Sequence, residues 1–290
     1  MQKISKNGIV VYKSDILSCP NGFSTRYGGY SKAPLVNGLN LTVTQRKGES
    51  VENVLKNLEL FTSAIGIDHK TVLSVPECNG TNIAIVSKED VGKGYYHNIG
   101  LQYFLNGNVC FDGYIAKELG ITIGMKTADC LPILFSVKDK NGKVVLVGGA
   151  HVGGKDDGEN SVCNVATIVP KLLDEIFIQS NCEAKDIYVA FGPCAHSCCC
   201  KVSDYVIDLL SESISAKTLN KYTKKCEDNL WSMDMVGINR EILLERGVLA
   251  ENIDLANICT VCSPSDMFFS RIRDGNKTGS MLSVISLPEE

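Results

Sequence analysis

The sequence predicts a mixed α/β (α+β) fold, a layered sandwich in which mixed, partly antiparallel sheets are flanked by helices. Three observations support this: apolar residues recur at helical spacing in three segments, short β-rich runs lie between them, and an Asn-Gly pair joins two of those runs. Strands and helices do not alternate regularly, as they would in a doubly wound parallel sheet. The sequence contains no internal repeat or Pro/Ser-rich linker, so we expect a single domain over residues 1–290.

Three amphipathic segments predict helices, because their apolar residues recur every three or four positions. The first stripe comprises Val51, Val54, Leu55, Leu58 and Ile65, between the N-cap residue Ser50 and the stop signal Gly66. The second comprises Val162, Val165, Val169, Leu172, Leu173 and Ile176, with Pro170 expected to kink or begin the helix. The third comprises Met235, Ile238, Ile242 and Leu243 and ends at Gly247.

Five short β-rich runs predict strands at residues 83–86, 121–125, 131–137, 144–147 and 187–191. Asn141-Gly142 separates the third run from the fourth, and this dipeptide is typical of a tight hairpin turn. These two runs should therefore pair antiparallel, so the sheet that contains them is at least partly antiparallel.

Composition and charge narrow the class of protein. The 290 residues are 44% hydrophobic and 21% charged, as in ordinary globular proteins, and the net charge of −4 disfavours nucleic acid as a partner. No apolar run reaches the roughly 18 residues of a membrane span, and residues 1–8 lack the apolar centre of a secretory signal. We therefore expect a cytoplasmic protein with no membrane association.

Cysteine is abundant, with 13 residues, an odd number, of which Cys198, Cys199 and Cys200 are adjacent. Such a set is awkward for a complete disulfide framework, and a chain of this length does not need one. We expect free thiols, metal ligands or catalytic groups, most of them behaving as small buried apolar residues.

The predicted hairpin brings two reactive side chains together. Cys130 immediately precedes the run at 131–137, and His151 follows the run at 144–147. The start of one strand and the end of its antiparallel neighbour lie at the same edge of a sheet, so Cys130 and His151 should be close in space. Such a pair can ligate a soft metal such as zinc or act as a nucleophile and its base. A buried thiol beside a histidine of the core is the alternative that the pattern leaves open.

A second cysteine-rich segment follows the run at 187–191. It contains Cys194, His196 and the adjacent triplet at 198–200, and a C-x-x-C pair, Cys259 and Cys262, occurs later in the chain. A four-thiolate zinc site drawing on both segments is one option. Adjacent cysteines ligate one ion poorly, and no second C-x-x-C pair lies at zinc-ribbon spacing, so we favour buried free thiols.

Two polar segments each combine arginine with aromatic residues. They are the loop at residues 22–29, which includes Arg26, and residues 268–275 near the C-terminus. This combination suits stacking on a planar ring or binding of an anion. Arginines in exposed loops are most often simply solvated, so either segment alone is weak evidence of a site.

Together these segments form an ordered set along nearly the whole chain. Its members are Gly22-Phe23-Ser24-Thr25-Arg26, Gly28-Gly29, Leu39-Asn40-Leu41, Thr127-Ala128-Asp129-Cys130-Leu131-Pro132, His151, Gly153, Gly192-Pro193, Cys198-Cys199, Val202, Asn239, Cys259-Thr260, Phe269-Ser270, Arg273-Asp274-Gly275 and Thr278-Gly279. This set resembles the laccase-domain family, also called multicopper polyphenol oxidoreductase-like proteins. Related members are described as purine-nucleoside phosphorylases or adenosine deaminases. The resemblance thus implies a small-molecule substrate, a purine nucleoside, together with phosphate.

The resemblance also implies a metal. In the laccase-domain family a zinc ion is held by a histidine, a cysteine and a second histidine, and Cys130 and His151 stand where the last two do. The first histidine, from a Gln-x-His-Gly motif, is replaced by Asn79, and an amide is a poor zinc ligand. Further departures from the family pattern are Gly154-Lys155, Cys200-Lys201, Arg271-Ile272 and Ser280.

Three functions follow as hypotheses. The first is phosphorolysis or deamination of adenosine or inosine with zinc on Cys130 and His151. Cys78 or water would complete the zinc site. Arg26 would hold phosphate or the base, and Asn40 would assist by hydrogen bonding. The second is a metal-free hydrolase or acyl-transfer enzyme with Cys130 as nucleophile, His151 as base and Asn79 as the orienting amide. The third is a ligand-binding member without turnover. Copper chemistry is disfavoured, because four histidines are too few for a multicopper cluster.

Overall fold

The computed structural model describes residues 1–43, 48–97, 110–227 and 229–289. Its strands are β1 Gln2–Lys6, β2 Ile9–Lys13, β3 Asn21–Ser24, β4 Val72–Leu73, β5 Ile83–Val86, β6 Gly113–Ala116, β7 Ile121–Thr127, β8 Leu131–Lys138, β9 Val144–Val152, β10 Gly154–Lys155, β11 Val162–Cys163, β12 Ile187–Phe191, β13 Lys201–Val202, β14 Thr223–Lys225, β15 Trp231–Met233, β16 Ile253–Leu255 and β17 Met281–Leu287. Its α-helices are α1 Val51–Ala64, α2 Ile168–Ser180, α3 Asp204–Ser211, α4 Ala216–Tyr222, α5 Met235–Glu245 and α6 Arg271–Asp274. Across these ranges no helix has both the length and the apolar character needed to cross a membrane.

Within the described residues, most strands belong to two six-stranded sheets. The first has the order β1-β2-β3-β17-β7-β4, and the second has the order β16-β12-β8-β9-β6-β5. Most neighbours run antiparallel, while β4/β7, β5/β6 and β12/β16 are parallel pairs. The predicted mixed, partly antiparallel pairing is therefore confirmed.

The two sheets stack face to face, with helices on both outer sides. An apolar layer between the sheets includes Ile123 of β7 and Leu134 of β8. Helix α1 covers the outer face of the first sheet, where Phe61 packs with Val284 of β17. Helices α2 and α5 cover the outer face of the second sheet, where Phe135 of β8 joins their cluster. This order of helix, sheet, sheet and helix confirms the predicted layered sandwich.

Strand β8 is buried on both faces, which explains its nearly continuous apolar sequence. Alternate side chains of a strand point to opposite faces, so Leu134 lies between the sheets while Phe135 lies against the helices. Every residue from Leu131 to Val137 is buried. Packing on both faces therefore fixes the positions of β8, of its partner β9 and of the residues at their ends.

The first and third predicted helices are confirmed. Helix α1 begins after Ser50, whose side chain accepts a hydrogen bond from the Asn53 backbone. It ends just before Gly66, whose φ of +75° is left-handed and stops the helix. Helix α5 likewise ends two residues before Gly247.

The second predicted helix is wrong at its start. Val162 is exposed and lies in strand β11, and helix α2 begins only at Ile168. Val165 lies between them and is buried but not helical. The helical spacing of apolar residues therefore began before the helix itself. Pro170 lies in the first turn of α2, where its missing N–H removes no hydrogen bond.

All five predicted strands are confirmed, and three of them are longer than predicted. Strand β9 continues through His151 to Val152, so His151 lies within a strand rather than after it. Strands β1, β2, β3 and β17, which make up most of the first sheet, were not predicted. The loop predicted at residues 22–29 is wrong for its first part, because residues 22–24 belong to β3.

The central position of Leu134 provides a test of the layered core. Leu134→Ala should lower the free energy of unfolding by about 2–5 kcal/mol, because it leaves a cavity between two sheets. Chemical denaturation followed by circular dichroism measures this change. The control is Val145→Ala on the neighbouring strand, whose side chain is 38% exposed, with an expected loss below about 1 kcal/mol. A loss as small as that of the control would contradict the burial of Leu134 between the sheets.

Candidate active site

The β8/β9 hairpin determines the geometry of the candidate site. Pro132 of β8 pairs with His151 of β9, which places Cys130, just before β8, beside Gly153. A Cβ atom at Gly153 would lie 2.5 Å from the Cys130 Sγ and 3.3 Å from the Asn79 Oδ1. Glycine therefore leaves the room that the thiol needs, and Cys130, His151 and Asn79 come together in one place.

Asp112 orients the imidazole of His151. It directly precedes β6, which runs antiparallel to β9, and its backbone oxygen accepts a hydrogen bond from the His151 backbone at 2.7 Å. The Asp112 Oδ1 lies 2.7 Å from the His151 Nδ1, and both side chains are buried. With Nδ1 donating to this carboxylate, Nε2 remains for the other partner of the ring, the Cys130 thiol.

The surroundings of His151 favour its protonated form. Burial lowers the pKa of His151, but the charge of Cys130, the hydrogen bonds with Asp112 and Cys130, and the charge of Glu77 together raise that pKa to about 10. These neighbours therefore stabilise the protonated imidazole. A metal ion that bound to Nε2 would have to displace the proton from that nitrogen.

The carboxylate of Asp112 also holds the loop that carries Asn79. The Asn79 backbone donates to Asp112 Oδ1 at 2.9 Å, and the Gly80 backbone donates to Oδ2 at 2.8 Å. Asn79 has a φ of +58°, a left-handed conformation that asparagine tolerates better than most residues. Its side-chain Oδ1 is buried and accepts no hydrogen bond from the described residues. Because an unsatisfied buried acceptor costs about 1–3 kcal/mol, a donor from water or a ligand at this oxygen would be favourable.

A disulfide joins Cys78, the neighbour of Asn79, to Cys110, with their Cα atoms 6.0 Å apart. Our expectation that the cysteines are free thiols, metal ligands or catalytic groups is wrong for this pair. The bond occupies the Cys78 sulfur, so Cys78 does not replace the missing histidine ligand while the disulfide is intact. It also ties the Asn79 loop to the segment that leads into Asp112.

Asp129 shapes the turn that presents Cys130. Its φ of +98° lies in the region that favours glycine, so neighbouring contacts must hold the backbone there. The Asp129 carboxylate accepts hydrogen bonds from the Thr260 hydroxyl at 2.7 Å, the Ser270 hydroxyl at 2.9 Å and the Ile272 backbone at 2.8 Å. Two later segments of the chain thus position the residue that precedes Cys130.

The guanidinium of Arg26 is engaged within the protein. It donates to Asn37 from Nε and Nη2, and to Ser265 and Asp274 from Nη1. It also lies 4.7 Å from the centre of the Phe269 ring, at cation–π distance. These contacts use most of its donors, so little of the guanidinium is available to a phosphate.

The side chain of Asn40 is fully buried and bonded on both sides of its amide. Its Nδ2 donates to Glu49 at 2.8 Å, and its Oδ1 accepts from the Ser280 backbone at 3.2 Å. Within the described ranges, neither Asn40 nor Arg26 forms a hydrogen bond with Cys130 or His151. The structure therefore brings together Cys130, His151 and Asn79, and it places the other two predicted residues in separate networks.

A second group of sulfur atoms lies outside this centre. The Sγ atoms of Cys198, Cys199, Cys259 and Cys262, the four-cysteine cluster, all lie within 4.8 Å of one another. Cys194 and Cys200 are buried as expected for this segment, but Cys198 and Cys262 are exposed. The expected burial is therefore wrong for the cluster, whereas the expectation that its four cysteines are free of disulfides is confirmed.

Two carboxylates of the site were not among the residues predicted from the sequence. Asp112 is a single acid before a strand, and only the pairing of β6 with β9 places it beside His151. Asp129 lies in the segment 127–130 that resembles the family. Its position next to Cys130 could have identified it as a residue of the site.

The chain is similar to proteins named purine nucleoside phosphorylase. It is 28% identical over 271 residues to purine nucleoside phosphorylase YlmD of Bacillus subtilis, a match that covers 92% of this chain and 88% of that protein. It is 26% identical over 265 residues to a purine nucleoside phosphorylase of Bacteroides thetaiotaomicron, covering 91% of this chain and 90% of that protein.

Solved structures share the fold. The crystal structure of YlmD from Geobacillus stearothermophilus matches with a TM-score of 0.80 at 25% identity, over 99% of this chain and 98% of that one. The crystal structure of the hypothetical protein YfiH of Bacillus licheniformis also matches with a TM-score of 0.80, at 23% identity, over 98% of this chain and 97% of that one.

The family assignment follows from the sequence as a whole. The family model described as multi-copper polyphenol oxidoreductase laccase matches residues 20–288. That range includes Asn79, Asp112, Cys130 and His151, and it takes in strands of both six-stranded sheets. The resemblance seen in the sequence motifs is thereby confirmed. The chain belongs to the multi-copper polyphenol oxidoreductase laccase family.

Proposed function

We propose that this chain is a purine-nucleoside phosphorylase whose reactive centre contains Cys130, His151 and Asn79. The observation that carries the proposal is the buried Asn79 Oδ1, which accepts no hydrogen bond from the described residues and lies beside the Cys130 thiol. The hydroxyl and amine groups of a nucleoside are donors of the kind that this oxygen requires. Relatives of similar length that are named purine nucleoside phosphorylase support the same class of substrate.

The donor set at this centre fits zinc. A thiolate and an imidazole are among the preferred ligands of zinc, and the hydrogen bond between His151 and Asp112 matches the carboxylate–histidine arrangement common at zinc sites. Cys130 and His151 would hold the ion, with water completing the site. When bound, zinc supplies Lewis acidity that stabilises negative charge on phosphate or on the departing base.

The residues of the chain bind and orient the reactants. In phosphorolysis the bond between ribose C1′ and the purine nitrogen breaks, a phosphate oxygen bonds to C1′, and the phosphate proton ends on the free base. Asn79 Oδ1 accepts a hydrogen bond from the nucleoside, while Asp112 keeps the His151 ring directed at the same place. Burial of His151 limits the access of water that would compete with phosphate. Deamination of adenosine, in which water attacks the base, is the alternative reaction on this substrate class.

Arg26 and Asn40 take a supporting role in this proposal. Arg26 contacts Asp274, in the same segment as Ser270, and Ser270 in turn donates to Asp129. Arg26 therefore positions the segment that holds the turn before Cys130, rather than holding phosphate itself. Asn40 similarly joins its own loop to the segment at residue 280.

Copper is a poorer match than zinc. The chain has four histidines, and His69 contacts Tyr96 while His151 contacts Asp112. Among the residues that the structure describes, no three histidines come together as potential metal ligands, and multicopper centres require several imidazoles at once. A cytoplasmic location stays a prediction from the sequence.

Removal of either central side chain should abolish turnover. We expect the protein to release hypoxanthine from inosine, or adenine from adenosine, only with inorganic phosphate present, as measured by liquid chromatography. Cys130→Ala and His151→Ala should each lower kcat/KM by about 100-fold or more, since each removes a group at the reacting centre. The control is Cys226→Ala, which removes a thiol that directly follows β14 and should leave kcat/KM unchanged.

The products distinguish the alternatives. Formation of inosine and ammonia from adenosine without phosphate would indicate deamination. No release of base from adenosine, inosine or guanosine at saturating phosphate would contradict the proposal and favour a ligand-binding member without turnover.

The orienting role of Asp112 is tested by Asp112→Asn. This change keeps the shape of the side chain but removes its charge, and it should lower both kcat/KM and zinc affinity about 10–100-fold. The matched control is Asp139→Asn in the β8/β9 turn, where the carboxylate likewise accepts backbone hydrogen bonds from Asn141 and Lys143. Normal activity in folded Asp112→Asn protein would refute the role of the carboxylate.

A metal-free thiol enzyme is the second candidate, favoured by the arrangement of Cys130, His151 and Asp112. These residues have the relations of a nucleophile, its base and an orienting acid. Asp112, not Asn79, contacts the imidazole, which corrects the trio considered from the sequence. Incubation of metal-free protein with an activated ester, followed by mass spectrometry, tests this candidate. An acyl adduct on Cys130 would support it, whereas zinc-dependent phosphorolysis without an adduct would reject it.

A further inference from the structure

We propose that the four-cysteine cluster is a structural zinc site separate from the Cys130 centre. Its four Sγ atoms all lie within 4.8 Å of one another. Three of the separations are 3.6 Å for Cys198–Cys259, 3.5 Å for Cys198–Cys262 and 3.2 Å for Cys199–Cys262. Thiolates bound to one tetrahedral zinc ion at about 2.3 Å lie about 3.8 Å apart. Small shifts would therefore let all four hold one ion.

The spacing favours one ion over an iron–sulfur cluster or a disulfide. In a four-iron cluster each cysteine binds a different iron, which separates the sulfur atoms more widely than here. A disulfide joins two sulfur atoms at about 2.05 Å and would not account for the other two thiols. Zinc matches a tetrahedral set of four thiolates.

The C-x-x-C turn is suited to a thiolate ligand. Ser263 closes the turn, since its backbone N–H donates to the Cys259 carbonyl at 3.1 Å and its hydroxyl donates at 2.7 Å. Backbone N–H groups of His196, Val261 and Cys262 donate to the Cys259 sulfur. Such donors stabilise the thiolate form in which cysteine binds metals.

A tight turn makes ligation by adjacent cysteines possible. The carbonyl of His196 accepts hydrogen bonds from the Cys199 backbone at 2.9 Å and from the Cys200 backbone at 2.8 Å. This turn brings the sulfur atoms of both Cys198 and Cys199 to Cys262, while Cys200 points into the core. The sequence argument against adjacent ligands therefore does not apply to this pair.

The cluster joins two loops that also support the Cys130 centre. The loop after β12 and the loop after β16 already meet where the Thr260 backbone donates to the Cys194 carbonyl at 3.0 Å. Both loops hold Asp129: the Ala195 backbone donates to its carbonyl at 2.8 Å, and the Thr260 hydroxyl donates to its carboxylate at 2.7 Å. A zinc ion in the cluster would cross-link these loops and stabilise the left-handed turn before Cys130.

Metal analysis of variants tests the proposal. The full chain is produced in zinc-supplemented medium and purified with a phosphine reductant, and zinc per chain is measured by plasma mass spectrometry. The variant Cys259→Ser/Cys262→Ser should lose about one equivalent of zinc. Cys130→Ala/His151→Ala should keep that equivalent, whatever it loses at its own centre. The matched control is Cys182→Ser/Cys226→Ser, which removes two other free thiols and should keep all zinc.

Cobalt substitution and thermal unfolding give further readouts. Wild-type protein with cobalt should show thiolate-to-metal charge transfer and the intense visible bands of a tetrahedral four-sulfur site. Cys262→His should keep the metal but shift these bands, because it replaces one thiolate with an imidazole. Cys259→Ser/Cys262→Ser should unfold about 5–15 °C lower than the wild type, since it loses the cross-link between the loops.

Several outcomes would overturn the zinc site. They are full zinc content in Cys259→Ser/Cys262→Ser, wild-type protein that binds neither zinc nor cobalt with its thiols reduced, and a Cys199–Cys262 disulfide that persists in reductant. The Cys262→His variant, which should stay folded and keep the metal, distinguishes loss of a ligand from loss of metal through misfolding. A failure to detect phosphorolysis would not affect this test, because the test measures metal content and not turnover.

Discussion

The buried carboxylate of Asp112 is the interaction on which the candidate centre depends. It joins three parts of the chain: strand β9 through His151, the 78–80 loop through backbone N–H groups, and β6, which it precedes. A carboxylate removed from water is costly unless hydrogen bonds stabilise its charge, and here the His151 ring and backbone donors do so. The bonds that stabilise this charge therefore also determine where the imidazole and Asn79 lie.

The layered core supports this arrangement. Strands β8 and β9 lie between the other sheet and the helices, so the strand ends that carry Cys130 and His151 are supported from both sides. Asp129 directs the chain into β8 with a left-handed backbone that three hydrogen bonds from later segments hold in place. Reactive groups thus lie where loops from distant parts of the sequence meet at the edge of a buried sheet.

The Cys130 centre and the four-cysteine cluster are connected through Asp129. Cys130 follows Asp129 directly, and the loops of the four-cysteine cluster donate hydrogen bonds to Asp129. With Asn79 in place of the family's first histidine, the Cys130 centre would offer zinc two strong ligands, whereas the cluster would offer four thiolates. Zinc affinity should therefore be higher at the cluster. Relatives named purine nucleoside phosphorylase support the proposed substrate class, whereas the proposed metal ligands are argued from the residues of this chain.

The sequence by itself determined the local structure and one contact of the site. Apolar spacing and end signals predicted α1 and α5, and the Asn-Gly turn predicted the hairpin that places Cys130 beside His151, because a tight turn dictates the pairing of its own strands. Only the tertiary structure decided contacts between segments that no turn connects. Asp112 reaches His151 across 39 residues, and Cys198 reaches Cys262 across 64. Periodicity shows which residues are buried but not the segment against which they are buried, so the acid beside the imidazole and the cluster of four thiols required the fold.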